Sequence, residues 1–486
     1  MTHEHTMAFS IMERSFVLFT EAAHVHQDLD EILLTVGPSP EPKHMVTLND
    51  TAADILQQCD GCADVGTIAE RHRVAYGIER SVAESSVAAI VNRGLAAGYL
   101  RLSPEPTKNA IGRSGSRSHH APQHVALELT SRCNLTCRHC YGDFGPRGDE
   151  EVPLSRWQGV LSDLLGSGVR ILTLTGGEPF LYGSAVGLLE WVLPRFMLVG
   201  VISNGTVVPD AAIELLGKHK DKVLVQLTIN GHREFHDAFV GREGAFDRVV
   251  ACASKLVARG VRVRLAMNAC TGNVGQIQHV AGLAHELGVA LMAVSVSQNL
   301  GRERLHRQGD QFYEGKDPNN NLEMVGLVSE QVAAAKRTHP HLFRSLPRNE
   351  LEAVTGMAEA ARRGEVPTIT CGAGQRSIYL AANGDVHACA LAKSCGFPAL
   401  GNLLQGSLEQ AMTSRVARAL AGLCIPLPPL CDSQCSQLPF CGGCVVRGYA
   451  GYMSLGERCT WGTRSFGPRD RWLANVETDA THAACR

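Results

Sequence analysis

The sequence predicts an α/β protein centred on a parallel sheet or barrel of βα units. Three observations carry that expectation. Apolar, strand-like runs at 125–129, 170–174, 198–203, 223–229, 261–267 and 290–296 alternate with helical patterns at 155–167, 184–194, 210–218, 244–259 and 275–287. Cys133, Glu178, Asn204 and Asn230 fall just past predicted strand ends, where such folds place their chemistry. Ten of the seventeen cysteines gather in two fields, one after the first strand and one in the last quarter of the chain.

Composition narrows the class. A chain of 486 residues is long enough for roughly two to four domains. At 44% hydrophobic and 19% charged it reads as globular, and a formal net charge of −2 gives no basic balance towards nucleic acid or an anionic membrane. No apolar stretch is long enough to span a bilayer, and the start lacks the basic-then-apolar pattern of a secretory signal, so a cytoplasmic location is expected. Clustered cysteines in a reducing compartment point to metal ligation rather than disulfides.

Residues 1–102 read as a small α+β domain. Two strands, 32–36 and 44–48, flank a Pro-rich turn, and Asn49-Asp50 can cap a helix through Ala52, Ile55 and Leu56 that Asp60-Gly61 would end. Helical patterns follow at 65–72 and 82–100. This order, with 48–52 and Cys59-Asp60-Gly61, resembles the PqqD-like peptide chaperones. The resemblance implies a winged-helix-like domain that binds the leader of a precursor peptide as an added strand on a sheet edge; a purely structural domain is the alternative. Cys59 and Cys62 form a lone C-x2-C and are expected to be ordinary thiols. Residues 103–123, rich in Ser, Pro, Gly and Arg, read as a flexible linker, with His119 and His120 solvated.

The first cysteine field is Cys133-x3-Cys137-x2-Cys140, followed by Tyr141. Soft thiolates suit iron–sulfur clusters and zinc, and the spacing alone also permits a disulfide. Three ligands can hold a cubane and leave one iron free, whereas a closed zinc site wants four. One predicted βα unit later a strand runs into Gly176-Gly177-Glu178-Pro179, where the glycines allow close backbone approach. Together these segments resemble the radical S-adenosylmethionine (SAM) superfamily. The resemblance implies a partial (β/α)6 barrel over 124–300, a [4Fe-4S] cluster on Cys133, Cys137 and Cys140, and SAM bound beside it. Tyr141, Gly176, Gly177, Glu178 and Pro179 would contact SAM, the Gly-Gly-Glu-Pro segment at its amino group. Ser203 and Asn204 would reach its ribose and carboxylate, and Thr228 and Asn230 stand where relatives often carry Ser-x-Asp-Gly. His232, His236 and Asp237 read as helix-start and surface residues.

Residues 301–365, including the polar tract 317–321, are expected to bridge with one or two helices. The second field, in 366–486, comprises Cys371, Gly384 and Cys389, then Cys431-x3-Cys435-x5-Cys441-x2-Cys444, then Cys459, with Leu400-Gly401-Asn402 between. It resembles the SPASM extension of radical SAM peptide maturases, although the four-cysteine spacing departs by one residue at each end. The resemblance implies two auxiliary [4Fe-4S] clusters, one on Cys371, Cys389 and Cys444 and one on Cys431, Cys435, Cys441 and Cys459. Cys395 would complete the first, or that cluster would keep an open iron. A zinc ribbon is the alternative. Cys252, Cys270, Cys424 and Cys485 lack partner spacing and are expected to be thiols.

The implied activity is modification of a ribosomally made precursor peptide by hydrogen abstraction with a 5′-deoxyadenosyl radical. A thioether cross-link is the first expectation and a carbon–carbon cross-link the second, with decarboxylation and epimerisation open. Three [4Fe-4S] clusters, SAM and an electron donor such as flavodoxin or ferredoxin would take part. Maturation of a larger protein (a sulfatase formylglycine site or a quinohemoprotein amine dehydrogenase subunit) is the second enzyme reading. A zinc-structured peptide-binding scaffold is the non-enzyme reading.

Overall fold

The computed structural model describes residues 13–29, 31–38, 42–142, 144–148, 150–296, 301–302, 312, 321–343, 371–427, 430–432, 434–435, 441 and 443–467. They form two compact units: the first 122 residues with 164–170 and 195–197, and the remainder.

In the first unit the strands are β1 (Phe16–Phe19), β2 (Ala23–Gln27), β3 (Ile32–Val36), β4 (His44–Leu48), β5 (Asp60–Asp64), β6 (Leu100–Ser103) and β7 (Ile111–Gly115). The helices are α1 (Asp50–Leu56), α2 (Val65–Tyr76) and α3 (Arg80–Ala96). One sheet has the order β5-β1-β6 and the other β4-β3-β2-β7, so β4 is an edge. Asn49 caps α1 as expected, its side chain accepting the Ala52 amide at 2.8 Å. Leu34, Ile55, Leu56, Ile68, Val87 and Val91 close the core.

Two expectations for this unit are corrected. Asp60-Gly61 does not merely end α1 but opens β5, antiparallel to β1. Residues 103–123 are not a flexible linker. The Thr107 amide donates to Gly61 O at 2.9 Å, and a Cβ on Gly61 would lie 1.9 Å from Thr107 O, so only glycine admits this strap. Further on, β7 pairs in parallel with β2. His120 is buried with its Nδ1 3.3 Å from Asp28 Oδ2, and His119 meets Ser116 at 3.0 Å. A polar composition reports local propensity but not a strand partner far away in sequence.

The second unit holds β8 (His124–Glu128), α4 (Leu154–Gly166), β9 (Ile171–Thr175), α5 (Ala185–Val192), β10 (Leu198–Ser203), α6 (Asp210–Lys218) and β11 (Val223–Thr228). There follow α7 (Arg233–Val240), α8 (Ala245–Ala258), β12 (Arg262–Ala269), α9 (Ile277–Glu286), β13 (Leu291–Val296) and α10 (Asn321–Thr338). Six strands, β8 to β13, lie side by side in chain order and all parallel. Val125, Leu127, Leu172, Leu174, Val201 and Leu265 are buried, as strands covered on both faces require. β13 and β8 do not pair, so the six strands form an open set. This is the predicted α/β architecture, each strand within two residues of its expected span.

The sheet continues through the second cysteine field. β14 (Ser377–Leu380) runs parallel to β8, with β15 (Asp385–His387) and β16 (Gly401–Asn402) antiparallel beyond it. Short helices α11 (Ala390–Ser394), α12 (Leu408–Met412), α13 (Arg415–Ala421), α14 (Val445–Leu455) and α15 (Thr460–Phe466) complete the described residues. Of the expected bridge, α10 and a 3-10 turn at Pro340–Phe343 are described; residues 317–320 and Cys485 lie outside the described residues. No helix among the described residues is long and apolar enough to cross a membrane.

Candidate active site

A cavity of about 270 Å³ opens at the C-terminal ends of β9 to β13. Cys133, Cys137, Cys140, Tyr141, Gly176, Gly177, Ser203, Asn204 and Thr228 all line it. The structure thus brings three cysteines and most of the predicted SAM-contacting residues to one place. Pro179 opens a 3-10 turn and is buried, and Glu178 and Asn230 sit fully buried.

The cysteine loop is held by its backbone. The Cys133 amide donates to Gly145 O at 2.6 Å, Thr136 N to Val240 O at 3.1 Å and Arg138 N to Phe239 O at 3.0 Å. Gly176 and Gly177 bring the end of β9 against this loop. Gly177 N donates to Thr130 O and Glu178 N to Arg132 O, both at 2.8 Å. A Cβ on Gly177 would fall 2.3 Å from Arg132 O, so the second glycine is needed for loop-to-loop contact.

Glu178 does not line the cavity itself but is buried behind Ser203 and Asn204, which do. It accepts from Ser203 Oγ and from the Asn204 amide at 2.8 Å each, and from the Phe180 amide at 3.2 Å. Those donors favour the anion, yet burial outweighs them and pushes the carboxyl up to about 7. Asn204 Nδ2 donates to Asn134 Oδ1 at 2.9 Å and stands 3.8 Å from Cys133 Sγ. Asn230 Oδ1 accepts from the Asn268 amide at 3.0 Å, while its Nδ2 is buried without a hydrogen bond.

His236 is the residue the sequence reading misplaced. It is buried and lines the cavity rather than the surface. Its Nδ1 accepts the Asn230 amide at 3.2 Å, which puts the ring proton on Nε2, a buried nitrogen with no hydrogen bond. Burial holds the imidazole down to about 4, so it is neutral. The signal was periodicity: His236, Phe239 and Val240 form the buried stripe of α7. His232 caps α7 and Asp237 accepts from the Gly244 and Phe246 amides, the helix-start roles expected of them.

Burial pushes the Cys133 thiol up to about 11 and the Cys137 thiol higher still, so thiolates here require a bound cation. Among the described residues no three His, Cys, Asp or Glu side chains converge closely enough to hold one metal ion. Thiolates sharing a single zinc lie roughly 4 Å apart. Cys133, Cys137 and Cys140 lie within electrostatic reach of one another on the cavity wall, a set of three soft donors that suits a cubane with one open iron.

In the second field, Cys371, Cys389 and Cys444 lie within electrostatic reach of one another, and so do Cys431, Cys435, Cys441 and Cys459. These are the two sets grouped above by resemblance. Cys395 packs near Cys441, and Tyr141 packs against both Cys441 and the first cysteine field. Cys424, expected as a thiol, is disulfide-bonded. Glu128, fully buried, accepts from Lys393 Nζ at 2.6 and 2.8 Å and from the Tyr379 hydroxyl, tying β8 to β14 and α11.

Residues 127–280 match the radical SAM superfamily, and residues 35–100 match coenzyme PQQ synthesis protein D (PqqD). Over 448 residues the chain is 26% identical to the antilisterial bacteriocin subtilosin biosynthesis protein AlbA of Bacillus subtilis (strain 168), covering 90% of this chain and 94% of that one. The sporulation killing factor maturation protein SkfB of the same strain is 32% identical over 189 residues, 39% of this chain and 46% of its own. Among solved structures, Streptococcus suis SuiB superposes with a TM-score of 0.63 at 14% identity, covering 91% of this chain and 98% of SuiB. SuiB bound to precursor peptide SuiA gives a TM-score of 0.59 at 13% identity, over 89% and 96% of the two chains.

Proposed function

Because this chain is a radical SAM protein that also carries a PqqD domain, we infer that it is a maturase of a ribosomally made precursor peptide. The observation that carries the reading is the cavity at the strand ends, lined by Cys133, Cys137 and Cys140 together with Ser203 and Asn204, which Glu178 holds from behind. A [4Fe-4S] cluster with SAM supplies, when bound, a 5′-deoxyadenosyl radical able to abstract hydrogen from an unactivated carbon. Cys133, Cys137 and Cys140 would ligate that cluster. Glu178 would face the SAM amino group, with Ser203 and Asn204 orienting its carboxylate. Tyr141, Gly176, Gly177, Pro179, Thr228 and Asn230 would shape the remaining walls, and the neutral His236 would offer a donor. The enclosing strands would keep water from the target carbon.

In the first unit, the free edge of β4 meets a groove lined by Val46, Leu48, Ala52, Ile90, Arg93 and Tyr99. An extended leader would pair with β4 and seat apolar side chains there. The two cysteine sets of the second field would hold auxiliary clusters, bringing the total to three, and a flavodoxin or ferredoxin would supply the electron. A thioether is the product we favour, from a substrate cysteine sulfur and a peptide carbon.

The test is anaerobic reconstitution of wild type beside the Cys133/Cys137/Cys140→Ala variant. Three cubanes give about twelve irons, falling by about four in the variant together with loss of 5′-deoxyadenosine. A cross-linked peptide is lighter by about two mass units. Zinc with little iron, and no SAM cleavage, would overturn the enzyme reading. Maturation of a larger protein is separated by removing residues 1–122, which should abolish peptide binding only if a leader is recognised. The cut falls at 122 because β7 pairs with β2 and belongs to the first unit.

A further inference from the structure

Just past β13, Gly301 and Arg302 reach the three-cysteine loop. The Arg302 amide donates to Cys140 O at 2.9 Å, Nη1 donates to Cys137 O at 3.1 Å, and Nη2 donates to Phe144 O. Three carbonyls of one loop therefore end on one residue, two of them on the two arms of a planar fork. Gly301 is built into the same contact. Its φ is +58°, and a Cβ there would lie 2.2 Å from Tyr141 O and 2.5 Å from Cys140 O. Cys137 and Cys140 lie in a stretch without helix or strand, where the Thr136 and Arg138 amide bonds to α7 hold the loop ahead of Cys140 and the Gly301-Arg302 contacts hold its far side.

We propose that Gly301-Arg302 is a clasp that positions Cys137 and Cys140 before any cluster is present, with Arg302 as the positioning residue. The segment after β13, the last of the six parallel strands, thereby presets the ligand geometry of the loop after β8, the first of them. A loop carbonyl freed from the fork can turn, and the thiol attached to it leaves the ligand position. The proposal rests on the reading of Cys133, Cys137 and Cys140 as cluster ligands, but its first test does not.

In the metal-free chain, iodoacetamide labelling of each cysteine is followed by mass spectrometry in wild type, R302Q and R302K. R302Q should label at Cys137 and Cys140 at least tenfold faster, with R302K, which keeps the charge but lacks the planar fork, between. Cys252, buried in α8 of the same unit, should stay as slow as in wild type. Equal rates at Cys137 and Cys140 in wild type and R302Q would overturn the clasp. So would loss of Cys252 protection in step with theirs, in both variants. In the reconstituted protein, a chelator should then remove about four irons at least tenfold faster from R302Q. If wild type holds no iron that the triple Cys→Ala variant lacks, the ligand reading fails while the labelling result still judges the clasp.

Discussion

Glu178 gives the sharpest quantitative test of the site. Its carboxyl titrates near 7 in the fold against an ordinary 4.5. At about 1.4 kcal/mol per pH unit, ionising it inside the metal-free chain costs about 3 kcal/mol. The group is fully buried, so solvent screening does not discount the figure. The folded pKa is the raised one for an acid, so the cost is absent below about pH 4.5. It grows as pH climbs towards 7 and is complete above that. Glu178→Gln deletes the charge in both states. The variant loses something at every pH from the altered hydrogen bonds to Ser203, Asn204 and Phe180, but that loss is nearly pH-independent. The quantity to compare is therefore a difference of differences. Thermal unfolding of metal-free wild type and E178Q at pH 5 and pH 8 should show the variant gaining about 2–3 kcal/mol on wild type between the two, several degrees in midpoint. Parallel stability curves for the two proteins would refute the claim that burial, rather than the three donors, dominates this carboxylate.

Two further outcomes follow from particular contacts. Lys393→Met leaves the Glu128 carboxylate buried without its cation; breaking a buried pair costs about 3–5 kcal/mol. Lys393 is itself 32% exposed, so we expect roughly 2–3 kcal/mol in denaturant midpoint, largely recovered in the double variant E128Q/K393M. In the first unit, Asn49→Ala removes the α1 cap and should cost about 1 kcal/mol, while weakening peptide binding at the adjoining groove; an unchanged affinity for the leader would argue against that groove.

The parallel strands were legible because a strand buried on both faces spells a continuous apolar run, as in Leu198–Ser203 and Val223–Thr228. Among the strands that went unread, β1, β2 and β6 are short runs of ordinary strand residues that no turn signal marked off, and the others were of another kind. β5 (Asp-Gly-Cys-Ala-Asp) and β7 (Ile-Gly-Arg-Ser-Gly) carry almost no strand propensity and exist because a partner strand waits for them. β14 to β16 are two to four residues long, too short for any periodicity. At the site, cysteine spacing and the Gly-Gly-Glu-Pro segment were visible because close backbone approach and ligation leave local residue patterns. His236 left only a helical stripe, and Arg302 and Lys393 left nothing. Each of those two acts across more than a hundred residues of sequence, through contacts that no local pattern encodes.

The pairing of β14 with β8 also bears on how the chain emerges from the ribosome. His124 and Ser377 are neighbours across that ladder, yet 253 residues separate them. At roughly 5–20 residues per second, β8 waits on the order of 10–50 s for its second neighbour to be synthesised. Through that interval its outer row of amides and carbonyls has no partner strand, and Glu128 awaits both Tyr379 and Lys393. The nascent barrel is thus exposed at one defined edge, and slower synthesis lengthens the exposure. An open edge of that kind is a template on which another strand can pair.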